Sequence, residues 1–520
     1  MMNESDGPSA WKTTAVISAM TAVWITTAGH TMNFREMEAA RGWIASEGYS
    51  LHTAYLLSLV LGLLYGYSSG PKYEPFSATV AGLFLLAAGS LINGTQLTAP
   101  LTLLAASRAA AGFGGGLVLV KAPALHEAVR ANSFAWAGIV LPSVAPLIVA
   151  VATFHYGWSN WEGAFLFEFA MATAGLCLVM AAGKPFQQIS PLDRKITFPW
   201  WMLPLAAAMA AGWYVLHWGQ LEGWIDSAKI KMALLLCALG SAASIGIAPA
   251  GLPDWRKVAP PAAVLVALFA GFTQYFNVSD MGVYGGLFVN FGVWERALLV
   301  WPISCGAALA LVVARFCPNA GWFAITGLLL IAAGMGLAHG RTMDWPYWRM
   351  LNQAEFNWFP APQVRELWMP RFLMGLGTGL AFVGAQRMVP VDPDDAARGR
   401  HLLTVVQIFG GALSIGALCL CLTRGYQNQY SFVSEKGFIQ ETAIREYTGI
   451  VSRSLAESGF QNASHAAETL AHRAISYEAN NLVFANLYGW FAASAVTMAA
   501  IMAFIPGRKK DCSFSRGQRS

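Results

Sequence analysis

Apolar stretches of about twenty residues, parted by short polar loops, recur along most of the 520-residue chain. Helices crossing a lipid bilayer need roughly that length of mainly apolar sequence. Fourteen such spans are predicted, near 12–33, 51–70, 77–95, 98–122, 133–154, 162–183, 198–218, 229–248, 257–277, 291–315, 320–339, 369–390, 400–423 and 484–506. Two longer segments interrupt the rhythm. One, near 340–368, is rich in aromatic residues. The other, 424–483, is polar and includes "ETAIREYTGIVSRSLAESGF", whose period predicts one or two surface helices.

Composition agrees with the pattern. Hydrophobic residues make up 56% of the chain and charged ones 12%, against about 25% charged in a soluble protein. A net charge of +5 is small for this length and argues against nucleic-acid binding. The seven cysteines lie mostly in apolar runs without metal-like spacing and read as small core residues. The opening "MMNESDGPSA" lacks the basic start of a signal peptide. Lysine and arginine collect in the loops after even-numbered spans (Lys72, Lys121, Arg315 and Arg387 among them) and in the tail, which carries Arg508, Lys509 and Lys510. Cytoplasmic loops hold the excess of basic residues. Both termini are therefore expected in the cytoplasm, with the chain embedded in the cytoplasmic (inner) membrane.

One internal repeat stands out. Arg108 is followed by Gly112, Gly114 and Gly116, and Arg371 is followed at the same spacing by Gly375, Gly377 and Gly379. Glycine in a helix costs about 1 kcal/mol relative to alanine, so the repetition needs a reason. Close helix–helix approach in lipid supplies one. The copies lie in spans 4 and 12. Two six-helix halves with two helices inserted between them predict that offset. The expected organisation is a cytoplasmic N-terminus (1–11), a six-helix bundle (12–183), two inserted helices (184–256), a second six-helix bundle (257–506) that includes the outer loop 424–483, and a basic tail (507–520).

These segments resemble the fourteen-span drug:proton antiporter (EmrB/QacA-type) branch of the major facilitator superfamily. "RAAAGFGGG" is similar to that family's span-4 motif. "GIVLPSVAPLIVAV", with Pro146, falls where its span-5 motif lies. "WSNWEGAFLFEFAMA", "PRFLMGLGTGLAF" and "HLLTVVQIFGGALSIGAL" resemble its spans 6, 12 and 13. The resemblance implies an all-α integral membrane fold with about 14 transmembrane helices in a 6+2+6 order. It also implies proton-coupled efflux of small amphipathic or drug-like compounds by alternating access, with no cofactor and no enzymatic activity. The outer segment 424–483 is then a candidate surface for a periplasmic adaptor protein. Two departures support a second reading, a transport-incompetent scaffold or accessory subunit. Span 1, "AVISAMTAVWITTAGHTMN", lacks the family's aspartate. The loop after span 2, "GYSSGPKYEPF", lacks its aspartate–arginine pair.

Charged residues inside a membrane usually face a cavity or a partner. Arg108 is either a modulator of proton or substrate binding or an arginine snorkelling to the interface. Arg371 follows Pro370 at an expected helix start, which favours snorkelling. Glu168 lies about two turns into span 6, where a carboxyl group can exchange a proton, bind a cation or serve a structural hydrogen bond. Glu47 and His52 lie close enough at the start of span 2 to form a titrating pair. Gln274, Tyr275 and Asn277 are candidates for a polar cavity lining. The six glycines of the repeat and Pro146 are candidates for packing or hinge positions. No phosphate-binding loop or metal-ligand cluster is present in the sequence.

Overall fold

The computed structural model describes residues 7–28, 34–68, 75–95, 98–125, 144–145, 148, 161–182, 199–247, 259–287, 293–316, 320–343, 364–389, 392–439 and 441–504. Among them there are fifteen α-helices and no strand. The first half contains α1 (Gly7–Ala28), the short α2 (Phe34–Arg41), α3 (Ala45–Ser68), α4 (Pro75–Thr95), α5 (Leu101–Lys121) and α6 (Trp161–Ala181). The inserted pair is α7 (Met202–Trp218) and α8 (Ala228–Ile247). The second half contains α9 (Pro261–Leu287), α10 (Val293–Phe316), α11 (Ala320–Met343), α12 (Val364–Arg387), α13 (Pro393–Ile439), α14 (Glu441–Glu457) and α15 (Ala463–Phe504). Ten of the helices are long and apolar enough to cross a membrane. The fifth expected span, Pro146 included, lies outside the described residues except at 144–145 and 148.

Some element boundaries differ from the sequence expectation, each for a local reason. The helix α3 begins at Ala45 rather than near 51, because the Glu47 carboxylate accepts a hydrogen bond from the Ile44 amide at 3.0 Å and caps that end. The helix α12 begins at Val364 and runs through Pro370. Arg371 is therefore not at a helix start. It lies about two turns inside and is 2% exposed, so the snorkelling expectation fails.

The polar segment 424–483 does not break the helices on either side of it. Instead α13 runs for 47 residues and α15 for 42, about 70 and 63 Å at 1.5 Å per residue. The hydrocarbon layer is about 30 Å thick, so both helices extend well beyond it and form, with α14, a helical projection. Tyr426 Oη donates to Ser476 Oγ at 3.1 Å across the two long helices. Gly459, at φ 83°, closes α14, with the Phe460 amide donating to the Leu455 carbonyl at 3.0 Å. Only a residue without a side chain takes that backbone freely. Gly459→Ala is expected to destabilise the projection by about 1 kcal/mol, read as faster amide exchange in 441–475 with the membrane helices unchanged.

The glycine repeat explains how each half is built. A methyl group on Gly112 or Gly116 would strike the Tyr55 or Leu59 carbonyl of α3, and one on Gly114 would strike α4 at the Gly82 carbonyl. In the second half Gly375 faces the Ile303 carbonyl and Gly379 faces Ala307 and Ala310, all on α10. Gly377 faces Gly327 and Ile331 on α11. The first and third glycines of each copy thus seat the fourth helix of its half on the second, and the middle one seats it on the third. The partner side agrees as well: Gly89 meets the carbonyl of the residue before Arg108, and Gly334 that of the residue before Arg371. The two arginine–glycine segments hold equivalent places.

Candidate functional site

Arg108 on α5 and Glu168 on α6 each lie about two turns from the start of their helix. That equal depth brings them together. Arg108 Nη1 donates to Glu168 Oε2 at 2.8 Å, and both side chains are fully buried. Ser90 Oγ on α4 donates to the same carboxylate oxygen at 3.3 Å, and Arg108 Nη2 donates to the Thr26 carbonyl of α1 at 3.3 Å. The guanidinium lies 4.7 Å from the centre of the Tyr55 ring and 5.2 Å from that of Phe165. Four helices and two aromatic faces therefore meet at one ion pair. A buried pair of this kind repays its desolvation only where the geometry is good and further hydrogen bonds reach it.

The Tyr55 hydroxyl extends the network toward the centre of the molecule. It lies 3.1 Å from Thr27 Oγ1 and donates to the Val23 carbonyl at 3.3 Å. The His52 ring, buried, stacks at 6.4 Å on Tyr55 and lies 6.4 Å from Tyr275 of the second half. Val278 on α9 packs with Ile25 on α1 and Ala164 on α6. The two halves touch here, beside the ion pair.

The second half repeats the arrangement with a different acceptor. Arg371 donates from Nη1 to the Asn277 carbonyl of α9, and from Nη2 to Tyr488 Oη of α15 at 3.4 Å. Each buried arginine thus binds a carbonyl of the first helix of its half and a side-chain oxygen of the last. The last helix supplies a carboxylate in one half and a phenol in the other. Phe276 packs edge-on against Tyr488 and Phe491. Gln407 on α13 donates to Gln274 on α9 at 2.7 Å. The Tyr275 hydroxyl and both amide atoms of Asn277 are buried with no hydrogen-bond partner among the described residues. Such groups carry a cost of about 1–3 kcal/mol each.

The structure therefore joins Arg108 to Glu168, surrounds Arg371 with Asn277 and Tyr488, and puts His52 against Tyr275. It separates Glu47 from His52: the Glu47 carboxylate is used as a helix cap, and the two do not form the expected pair. Tyr55, Ser90, Thr26 and Tyr488 were not singled out in the sequence. Only Tyr488 had a usable signal there, as a polar atom in the span expected to match span 6. Among the described residues no group of histidine, cysteine and acidic side chains is arranged to hold a metal ion.

No family model matches the sequence, and no curated protein matches it either. Solved structures do resemble it in fold. A POT family transporter in complex with a thioalcohol-conjugated peptide aligns with TM-score 0.58 at 12% identity, covering 94% of this chain and 95% of that one. An auto-inhibited POT family peptide transporter gives 0.56 at 13%, covering 95% and 96%. The POT family transporter PepTSo gives 0.56 at 11%, covering 95% and 97%. At such identities the likeness is one of fold. The chain has the all-helical fold of these transporters, and ten of its described helices are long and apolar enough to cross a membrane; these neighbours do not point to the drug-antiporter branch that the sequence resembles.

Proposed function

We propose that a major facilitator fold built around a buried arginine–carboxylate pair makes this protein a secondary active transporter that couples a small organic solute to protons. The observation that carries this reading is Glu168. Among the described residues it is the one carboxylate enclosed at the meeting point of α1, α3, α4, α5 and α6, and it is matched by a buried cation. Protonating Glu168 frees Arg108 of its counter-charge, and the Tyr55–Thr27 network beside it must then rearrange. Rocking of the two halves about that contact exposes the site to each side in turn.

Two solute classes follow from different observations. Peptides are what the neighbouring transporters' names carry. Small amphipathic, drug-like compounds, moved outward against protons, are what the sequence resemblance implies. Asn277, Gln274 and Tyr275 are assigned to the solute side, and Arg371 to the second half's share of the site. The charge asymmetry of the loops supports cytoplasmic termini in an inner membrane, with the projection 424–483 on the outer side. In a cell with two membranes the projection is placed to meet a periplasmic adaptor protein, and a photocrosslinker at the exposed Phe460 tests for one.

The test is flux in proteoliposomes under an imposed pH gradient, with a dipeptide panel and a hydrophobic-cation panel. Gradient-dependent movement of either class is expected. Flux equal to that of protein-free vesicles for both would leave the alternative, a fold retained as a transport-incompetent scaffold.

A further inference from the structure

The inserted hairpin α7–α8 has no counterpart in the repeat, yet it is fastened to both halves at one end of the bundle. On the first half, Trp213 Nε1 donates to the Ser50 carbonyl of α3 at 2.8 Å. His217 Nε2 lies 2.9 Å from Thr53 Oγ1, with His217 1% exposed. On the second half, Arg424 Nε of α13 donates to Gln220 Oε1 at 2.8 Å, and Gln220 Nε2 donates to Gln427 Oε1 at 3.2 Å. The Arg424 guanidinium also lies 5.3 Å from the Trp224 ring centre. Both fastenings are at the projection end of the bundle, where α3 begins and α13 leaves the membrane-crossing stretch.

The two attachments differ in kind. The contacts to α3 are buried or partly buried. The hydrogen bonds to α13 are exposed, where water competes for every donor and acceptor, and beside them Leu216 of α7 lies against Gly416 of α13 through apolar contact. The other helix of the hairpin, α8, packs chiefly on α7 and turns Met232, Leu239 and Ile245 outward, so it adds apolar surface for lipid rather than a third attachment.

We propose that the α7–α8 hairpin is a strap across the projection end of the two halves, anchored permanently on α3 by Trp213 and His217 and latched releasably on α13 by Gln220, Arg424 and Gln427. Opening of that end separates α3 from α13. Side-chain bonds of under 4 Å cannot span a widened gap, so one attachment must give way, and the exposed one is the weaker. The strap then travels with the first half and sets how often that end opens. The transport reading above supplies the purpose of the opening, but the restraint stands on these contacts alone. A failed flux experiment leaves it in place.

The experiment uses spin-label distances in the full chain, in lipid nanodiscs, with native cysteines replaced by serine. One label pair, Ile225→Cys with Asn428→Cys, reports hairpin to α13. A second, Ile44→Cys with Ile225→Cys, reports hairpin to α3. Adding Gln220→Ala and Arg424→Ala is expected to raise a longer-distance population in the first pair about fivefold, the combined effect on a two-state balance of the two exposed hydrogen bonds lost, and to leave the second pair unchanged. An unchanged first pair, or lengthening in the second, overturns the proposal. A complementary variant guards against general loosening: a Gln220→Cys/Gln427→Cys disulfide should remove the longer population and its reduction should restore it. A population indifferent to that disulfide also overturns the latch.

Discussion

Arg108→Ala is expected to be among the most damaging single substitutions in the molecule, costing about 3–5 kcal/mol. The cost comes from Glu168, left fully buried and deprived of its cation. Glu168→Ala should do similar harm from the other side, because the guanidinium would stay enclosed against Tyr55 and Phe165 and lose the carboxylate it binds. Removing both charges is a different matter. A buried ion pair replaced by apolar groups of like volume is often neutral in stability. The double variant Arg108→Met/Glu168→Met should therefore melt close to the wild type, while Arg108→Met and Glu168→Met alone each melt well below it. Thermal unfolding of the four proteins in one detergent checks this. Additive losses in the double variant would mean that the two residues do not act as a pair.

The second large effect concerns the repeat. Gly112→Val and Gly375→Val should each disrupt folding, by about 1–3 kcal/mol or more, because a branched side chain would drive the fourth helix of the half off the carbonyls of Tyr55 or Ile303. The two losses should be of like size, since the positions are equivalent. Gly336, exposed on α11 with nothing within 4 Å of an added methyl group, sets the contrast. Gly336→Ala should be neutral or slightly stabilising through helix propensity. Yield of monodisperse protein and its melting temperature distinguish these outcomes. Tolerance of valine at one position but not at the other would break the equivalence of the halves.

The parts of this architecture legible in the sequence were those that packing writes locally. A helix can approach another to within backbone contact only where it carries glycine, so the spacing after Arg108 and Arg371 showed where the two halves would match. Apolar runs likewise predicted thirteen of the helices, to within several residues at most ends. What depended on distant partners was not legible. Arg108 and Glu168 are sixty positions apart, and each looked ambiguous alone. Arg371 was misread because Pro370 suggested a helix start, whereas α12 absorbs that proline and buries the arginine. Glu47 and His52 fell close in sequence, but capping claimed the acid and the central interface claimed the histidine. Tyr488 was one phenol among 15 tyrosines, set apart only by its place in the span expected to match span 6. The long ends of α13 and α15 beyond the apolar runs were missed because polar sequence in a membrane protein suggests a loop, whereas the helix continues there.

The most direct test of the account compares two kinds of flux in Glu168→Gln, an exchange that keeps the shape of the side chain and a hydrogen-bond acceptor for Arg108. Proteoliposomes holding the wild type or the variant are assayed for solute movement driven by a pH gradient, and for solute exchange at equal pH. The account predicts that the variant loses the gradient-driven movement and keeps the exchange. Gradient-driven movement at the wild-type rate in Glu168→Gln would contradict it.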